Sequence, residues 1–307
     1  MAYNKENVFG RLSVNHPLVE ELASGKHPWW NRLVNLSHDD RDINIQVRGS
    51  YLNVYCKMGN LLKIYLQGNK VACKVHYKYL VDAQTPYIDV YPSGYDLEVN
   101  QKSCNLLSSI LDRKCFKIVK QNIATYVGEE KRIQSRLIEK NKDTILDVEI
   151  AFSDSEVLVD SGDGNTRIDI ANFDKNRNCL VFIELKQIFD ARLYSKEINE
   201  QIQKYNVFAN KHENHLIMAY NDVIQVKKKL GIIKPAAYLW DIVISKIEHR
   251  PILAIAGYKQ SIIEGMRPKI LEREKDKLDT TKLAALYFFG NYVDLNLKSA
   301  INKKVFL

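Results

Sequence analysis

Nowhere in these 307 residues does an apolar run approach the roughly 20 needed to cross a bilayer. The opening stretch, MAYNKENVFGRLSVNHP, has no apolar signal-peptide core. A cytoplasmic protein with no membrane attachment is therefore expected. Cysteine is sparse: Cys56, Cys73, Cys104, Cys115 and Cys179 are an odd number, no two have C-x-x-C spacing, and none follows Cys179. Neither a disulfide framework nor a zinc ribbon is indicated, and buried free thiols are expected. No Gly-x-x-x-x-Gly-Lys-Ser/Thr phosphate loop occurs, so an ATP-driven motor would have to be another chain. Internal repeats and low-complexity tracts are also missing.

What is present is globular. The chain is 46% hydrophobic and 27% charged, and its length suits two compact units at about 100–200 residues each. The formal net charge of +8 suits a polyanionic partner, because each phosphate neutralised by Lys or Arg releases condensed counterions.

The first ~35 residues read as helix and loop, with Pro28-Trp29-Trp30 as a packing anchor. From Ile43 to Val81 short runs rich in Val, Tyr and Ile alternate in polarity, punctuated at Arg48-Gly49-Ser50, Met58-Gly59-Asn60 and Gln67-Gly68-Asn69. That pattern predicts an antiparallel meander. A helical stretch follows around Asn105–Asp112, and residues 1–118 are assigned to a β-rich N-terminal accessory domain. Residues 119–307 read differently. Glu129–Lys140 is helical, and strand candidates follow at Asp147–Phe152, Thr166–Phe173 and Leu180–Lys186. Helices are predicted over Ser195–Asn210 and much of Leu216–Ile244, then a strand at Pro251–Tyr258. The tail carries a charged helix (Ile262–Lys277) and an apolar run (Leu283–Leu297) able to pair at a sheet edge. The class is α/β, one sheet flanked by helices.

Chemistry concentrates in Arg167-Ile168-Asp169-Ile170 and Val181-Phe182-Ile183-Glu184-Leu185-Lys186, joined through the turn Asp174–Asn178. A hairpin symmetric about Asn176 and Arg177 places Asp169 opposite Glu184. Period-two alternation then puts Asp169, Glu184 and Lys186 on one face, and Ile168, Ile170, Val181, Ile183 and Leu185 on the other. Carboxylates facing each other across a strand pair repel, and a buried Lys needs a partner. A divalent cation resolves the conflict, since Mg²⁺ takes one or two carboxylates with water and phosphate. An exposed strand-face pair beside a solvated carboxylate is the bland alternative. Glu130 lies three and seven residues before Ile133 and Leu137 and so shares their inward face, although Glu129 fits nearly as well. Ile198, Ile202, Tyr205 and Ala209 form a helical stripe with Gln201 on the same side.

A helix Glu, a strand Asp, a strand E-x-K and a helix with Q-x-x-x-Y, in that order, resemble the PD-(D/E)xK nuclease superfamily, specifically its RecB-like branch. The matching residues are Glu130, Asp169, Glu184-Leu185-Lys186 and Gln201–Tyr205, within roughly residues 125–260. The resemblance implies a mixed-sheet restriction-endonuclease-like core (αβββαβ) after the β-rich domain, cutting DNA with Mg²⁺ or Mn²⁺. It implies that Asp169, Glu184 and the Leu185 carbonyl bind metal and that Lys186 orients or activates the attacking water. It further implies that Glu130 assists, while Gln201 and Tyr205 support the site or touch the DNA backbone. Ile168 stands where the superfamily's name places Pro. No iron–sulfur cluster is expected, because some RecB-like nucleases draw three cluster cysteines from beyond the nuclease motifs. A metal-dependent DNA nuclease in defence or repair is the expectation, with RNA left open as substrate. The alternative is a non-catalytic nucleic-acid-binding or scaffolding protein on the same core.

Three other features carry possible chemistry. His212 and His215 have metal-compatible spacing but no third ligand nearby, and read as a solvent-facing helix-end pair. Lys227-Lys228-Lys229 reads as a solvated run at a helix C-terminus, with phosphate contact as the alternative. Tyr51, Tyr55, Tyr65, Tyr77 and Tyr79 interleave with Lys57, Lys63, Lys74 and Lys78. They suit either nucleic-acid contact or packing and homodimerisation.

Overall fold

The computed structural model describes residues 11–76, 79, 96–99, 111–152, 166–257, 259–272, 277–289, 297 and 301–305. Cys104, Tyr77, Lys78, Tyr258 and the expected helical stretch from Asn105 to Ile110 lie outside them. The protein is α/β, with one antiparallel sheet, one mixed sheet and flanking helices. Among the described residues no helix is long and apolar enough to cross a membrane.

The chain divides into two compact units, and not at residue 118. One comprises Gly10–Ser135 with Asp222–Trp240; the other holds Arg136–Asn221 and Asp241–Leu307. The first contains α1 (Pro17–Ala23), α2 (Pro28–Asp39), then β1 (Ile43–Val47), β2 (Tyr51–Cys56), β3 (Gly59–Gln67), β4 (Lys70–His76) and β5 (Asp96–Val99). All five strands are antiparallel in sequence order, the expected meander with one strand more. Trp30 is buried in α2. Helix α3 (Arg113–Tyr126) spans the expected boundary because it packs on this sheet. A Cβ on Gly59 would stand 2.6 Å from Ile123 Cγ2, so only Gly lets α3 approach. The turn before it falls at Lys57 and Met58 (φ 48° and 64°), a left-handed pair suited to a two-residue hairpin.

Residues 222–240 return to this unit through polar contacts. His38 Nε2 lies 3.1 Å from the Ile232 carbonyl, and Lys227 Nζ donates to Gln46 Oε1 at 2.8 Å. Lys227 is therefore buried, Lys228 lies 5.5 Å from the Trp240 ring centre, and Lys229 pairs with Glu20. The run is therefore not one solvated face: Lys227 is buried and Lys228 half-buried, and Lys229 is exposed. Burial follows the alternation along β3, whereas β1 and β2 are buried on both faces, Asn44, Gln46, Asn53 and Tyr55 included. Ile45, Val47, Leu52, Val54, Leu62, Ile64, Cys73 and Val75 are buried on one face, and the other is polar. Of the four described cysteines, Cys56, Cys73 and Cys179 are buried free thiols, while Cys115 is half-buried.

Helix α4 (Glu129–Asn141) leads into the second unit. There β6 (Ile145–Phe152), β7 (Thr166–Asp174) and β8 (Cys179–Gln187) are followed by α5 (Glu197–Lys211), α6 (Glu213–Lys229) and β9 (Ile247–Ala256). After α7 (Gln260–Leu271) come β10 (Ala285–Phe289) and β11 (Ile301–Val305), and the sheet order is β11-β10-β9-β8-β7-β6. Strands β6, β7 and β8 are antiparallel, whereas β8–β9 and β9–β10 are parallel. A parallel neighbour requires a long crossover, which α5 and α6 provide. Helix α6 stops earlier than expected because Gly231 (φ 73°) caps it, its N–H reaching back to the Lys228 carbonyl. The tail's apolar run does not end at an edge: β10 lies between β9 and β11. Flanked on both sides, β8 is buried from Cys179 to Lys186, as a central strand must be. Ile198 and Ile202 of α5 share a core with Leu253, Ile255, Leu286 and Phe288.

Candidate active site

The β7–β8 ladder has the expected register. It runs from Asp174↔Cys179 to Ile170↔Ile183 and ends there, one pair before Asp169 would meet Glu184. The turn is fixed by Asp174 Oδ1, which accepts the N–H groups of Asn176 (2.9 Å) and Arg177 (3.2 Å), and by left-handed Asn178 (φ 50°). Beyond Ile170 a side chain replaces the ladder, and Asp169 Oδ2 accepts the Leu185 N–H at 2.8 Å. A strand residue's N–H and C=O point to the same side, so the Leu185 carbonyl also faces the space where the strands part. Ile168, Ile170, Val181, Ile183 and Leu185 are buried on the opposite face.

Glu184 and Lys186 are each only 2% exposed, which rules out a solvated strand-face pair. The Lys186 ammonium donates to Glu184 Oε1. Helix α5 closes over them: Gln201 Nε2 donates to Glu184 Oε1 at 2.6 Å, and the Tyr205 hydroxyl donates to Glu184 Oε2. The Arg167 carbonyl lies 3.1 Å from the same hydroxyl, so Tyr205 ties β7 to β8. Burial, then the charges of Glu184 and Asp169, push the Tyr205 phenol well above its usual range. It stays a neutral donor. These contacts exist because Gln201 and Tyr205 are one helical turn apart, beside the stripe of Ile198, Ile202 and Ala209 that anchors α5.

Asp169 is half-buried, and its proton is held well above the ordinary value of 3.8. Burial is the main cause and Glu184's charge the next; the Leu185 N–H and Lys186 oppose them. Glu149 on β6 adds to the rise. The register Val148↔Ile170 and Ile150↔Ile168 sets Glu149 across from Asp169, with the left-handed φ of 51° that L residues rarely adopt. Sequence reasoning missed Glu149, although its alternation with Asp147 in a strand candidate was a signal. The expectation for Glu130 is not met. Glu130 and Glu129 are exposed in the first turn of α4, whose buried residues are Ile133, Gln134, Ser135, Leu137, Ile138 and Asn141. Helical side chains lean toward the N-terminus, so a first-turn carboxylate overhangs the helix start even at the right angular position.

At the C-terminal end of β8, Asp190 grips Arg192 through Nε (2.9 Å) and Nη2 (2.6 Å). Burial pulls the Asp190 carboxyl upward, but Arg192's hydrogen bonds and charge, with Lys186's charge, leave it lowered. Next to it Phe189 is 54% exposed. His212 is buried in contact with Phe208 (ring centres 5.2 Å apart), whereas His215 is exposed, so the two do not form a solvent-facing pair.

Chemically, two carboxylates and one ammonium leave a net negative site with a carbonyl turned toward it. Among the described residues no group of three or more His, Cys, Asp and Glu is set to hold a metal. An ion there would complete its shell with water and phosphate, as Mg²⁺ commonly does. Comparison with models of known protein families, with curated proteins and with solved structures found no match.

Proposed function

We propose that the chain is a metal-dependent nuclease of PD-(D/E)xK type, with a restriction-endonuclease-like core, hydrolysing DNA phosphodiester bonds in defence or repair. One observation carries the reading: Lys186 from β8 and Gln201 and Tyr205 from α5 converge on the Glu184 carboxylate, while Asp169 from β7 accepts the N–H of the next residue, Leu185. The order α4-β6-β7-β8-α5-α6-β9, in which α6 is an added helix before the last strand, supports it as well.

Asp169, Glu184 and the Leu185 carbonyl are the groups that would hold Mg²⁺ or Mn²⁺. Burial first, then Glu184's charge, raises the proton affinity of Asp169, a cost that a bound cation would offset. The ion would polarise the phosphate and lower the pKa of a water. Gln201 and Tyr205 hold Glu184 in one rotamer, which spares reorganisation during the reaction. Lys186, tied to Glu184, is positioned to hold or move a proton of the attacking water. Glu130 has no part in this reading.

A second reading has an observation of its own. Three donors already satisfy Glu184, as in a nuclease-like core that binds nucleic acid without cutting it. A cleavage panel over single- and double-stranded DNA and RNA, with Mg²⁺, Mn²⁺ or EDTA, separates the two. The expected result is metal-dependent DNA cleavage that Lys186→Met removes. Absence of cleavage in every form, with salt-sensitive binding indifferent to EDTA, establishes the non-catalytic reading.

A further inference from the structure

The N-terminal sheet has one apolar face, buried, and one polar face whose residues fall into a pattern. In register across the strands, Tyr51 pairs with Tyr65, and Lys63 pairs with both Asn53 and Lys74. Lys70 pairs with Gln67 at the next position of that face. Tyr51, Tyr65, Lys63 and Lys74 are half-buried, and Lys70 is exposed. Each lysine of the central row lies over a tyrosine: Lys63 Nζ is 4.2 Å from the Tyr51 ring centre, and Lys74 Nζ is 5.7 Å from that of Tyr65. These are the tyrosines and lysines whose sequence pattern fits a core as well as a ligand surface. They stand on the face away from the core.

We propose that this face is a platform for single-stranded nucleic acid. Tyr51 and Tyr65, side by side on neighbouring strands, stack unpaired bases, and Lys63, Lys70 and Lys74 take up the flanking phosphates. Charge complementarity selects the occupant. Two lysines directly opposite one another weaken a sheet, and a polyanion removes that repulsion. Among the described side chains of this face on β3 and β4, Lys63, Lys70 and Lys74 are the charged ones, and all are positive. The tyrosines select the single strand, because a duplex hides its base faces. A cation resting on a ring that solvent still reaches is held less strongly than a stacked base. A base therefore displaces the lysine from the ring and frees it for phosphate.

The proposal extends the nuclease reading to where substrate is gripped but does not depend on cleavage. It is tested with the full chain in EDTA, by fluorescence anisotropy of a labelled oligothymidylate about 15 nucleotides long, within the known range of site sizes. A duplex of equal length is the comparison. The wild type is expected to prefer the single strand at least tenfold. Tyr51→Ala with Tyr65→Ala should weaken it about tenfold or more, while Tyr51→Phe with Tyr65→Phe stays within twofold, because the stacking rings remain. Lys63→Ala with Lys74→Ala should flatten the dependence of log affinity on log salt by about 0.7 for each phosphate no longer neutralised. Unchanged melting temperatures exclude misfolding as the cause. Equal binding of duplex and single strand, or Ala variants within twofold of wild type, overturns the platform. If Lys186-dependent cleavage persists in that case, the nuclease reading survives it. Tyrosine-dependent binding with no cleavage under any metal does the reverse.

Discussion

Asp169→Asn should stabilise the metal-free protein and abolish its response to metal. The substituted amide oxygen can still accept the Leu185 N–H that Asp169 accepts at 2.8 Å. What disappears is a partly buried charge repelled by Glu184 and Glu149. Relief of such functional-site repulsion commonly stabilises by about 1 kcal/mol, or roughly 2 °C in Tm for a chain of this size. The sign with pH follows from the raised proton affinity. A group whose folded pKa lies above its unfolded value contributes stability that is full below the unfolded value and lost as pH rises through the folded one. Asp169 thus matches Asn at acid pH, and the gap opens toward pH 8. On the proposed reading divalent metal should reverse the order, because it would bind the ionised carboxylate. At a hundredfold excess over its dissociation constant it stabilises by about 2.7 kcal/mol, roughly 5 °C, in the wild type alone. Scanning calorimetry at pH 5 and pH 8, in EDTA and in Mn²⁺, reads all four combinations. A variant less stable than wild type in EDTA at pH 8, or one that gains as much from Mn²⁺, refutes the reasoning.

Glu184→Ala should cost about 3–5 kcal/mol, because it strands the buried Lys186 ammonium without its carboxylate. Glu184→Gln should cost clearly less, and urea denaturation measures both; an Ala cost below about 1 kcal/mol contradicts the buried pair. The Gln variant is consequently the cleaner control for activity. Gly59→Ala should destabilise by about 1–3 kcal/mol through overpacking, since its Cβ meets Ile123 Cγ2 at 2.6 Å and Val127 Cγ2 at 3.3 Å. In an Ile123→Ala background, which removes Cγ2, Gly59→Ala should cost less, a coupling that a double-mutant cycle reads, and a neutral Gly59→Ala would show that α3 does not press on β3.

The parts of the site legible in the sequence are those fixed by short-range geometry. Only residues 175–178 join β7 to β8, and a short turn dictates register. The relation of Asp169 to Glu184 can therefore be read by symmetry. The stripe on α5 is equally accessible, because helical periodicity needs no partner to be recognised. Along-chain reading fails where a segment leaves its neighbours and comes back. Residues 222–240 return to the N-terminal unit through Lys227 and Ile232. Nothing in a row of lysines reveals that the first will be buried against Gln46.

Glu149 and Glu130 show the same limit within the candidate site. Residues 153–165 separate β6 from β7 in the sequence, too many for the register to be read by symmetry. The pairing that brings Glu149 across from Asp169 is set by the burial of Val148 and Ile150 against Ile168 and Ile170. Periodicity selects Glu130 instead, because an angular position on a helix is legible and the end of its buried face is not. The consequence reaches the chemistry. Asp169's proton affinity is raised by one carboxylate that the motif contains, Glu184, and by another that no part of the motif anticipates, Glu149. The charge balance of the pair therefore depends on a strand outside the β7–β8 hairpin.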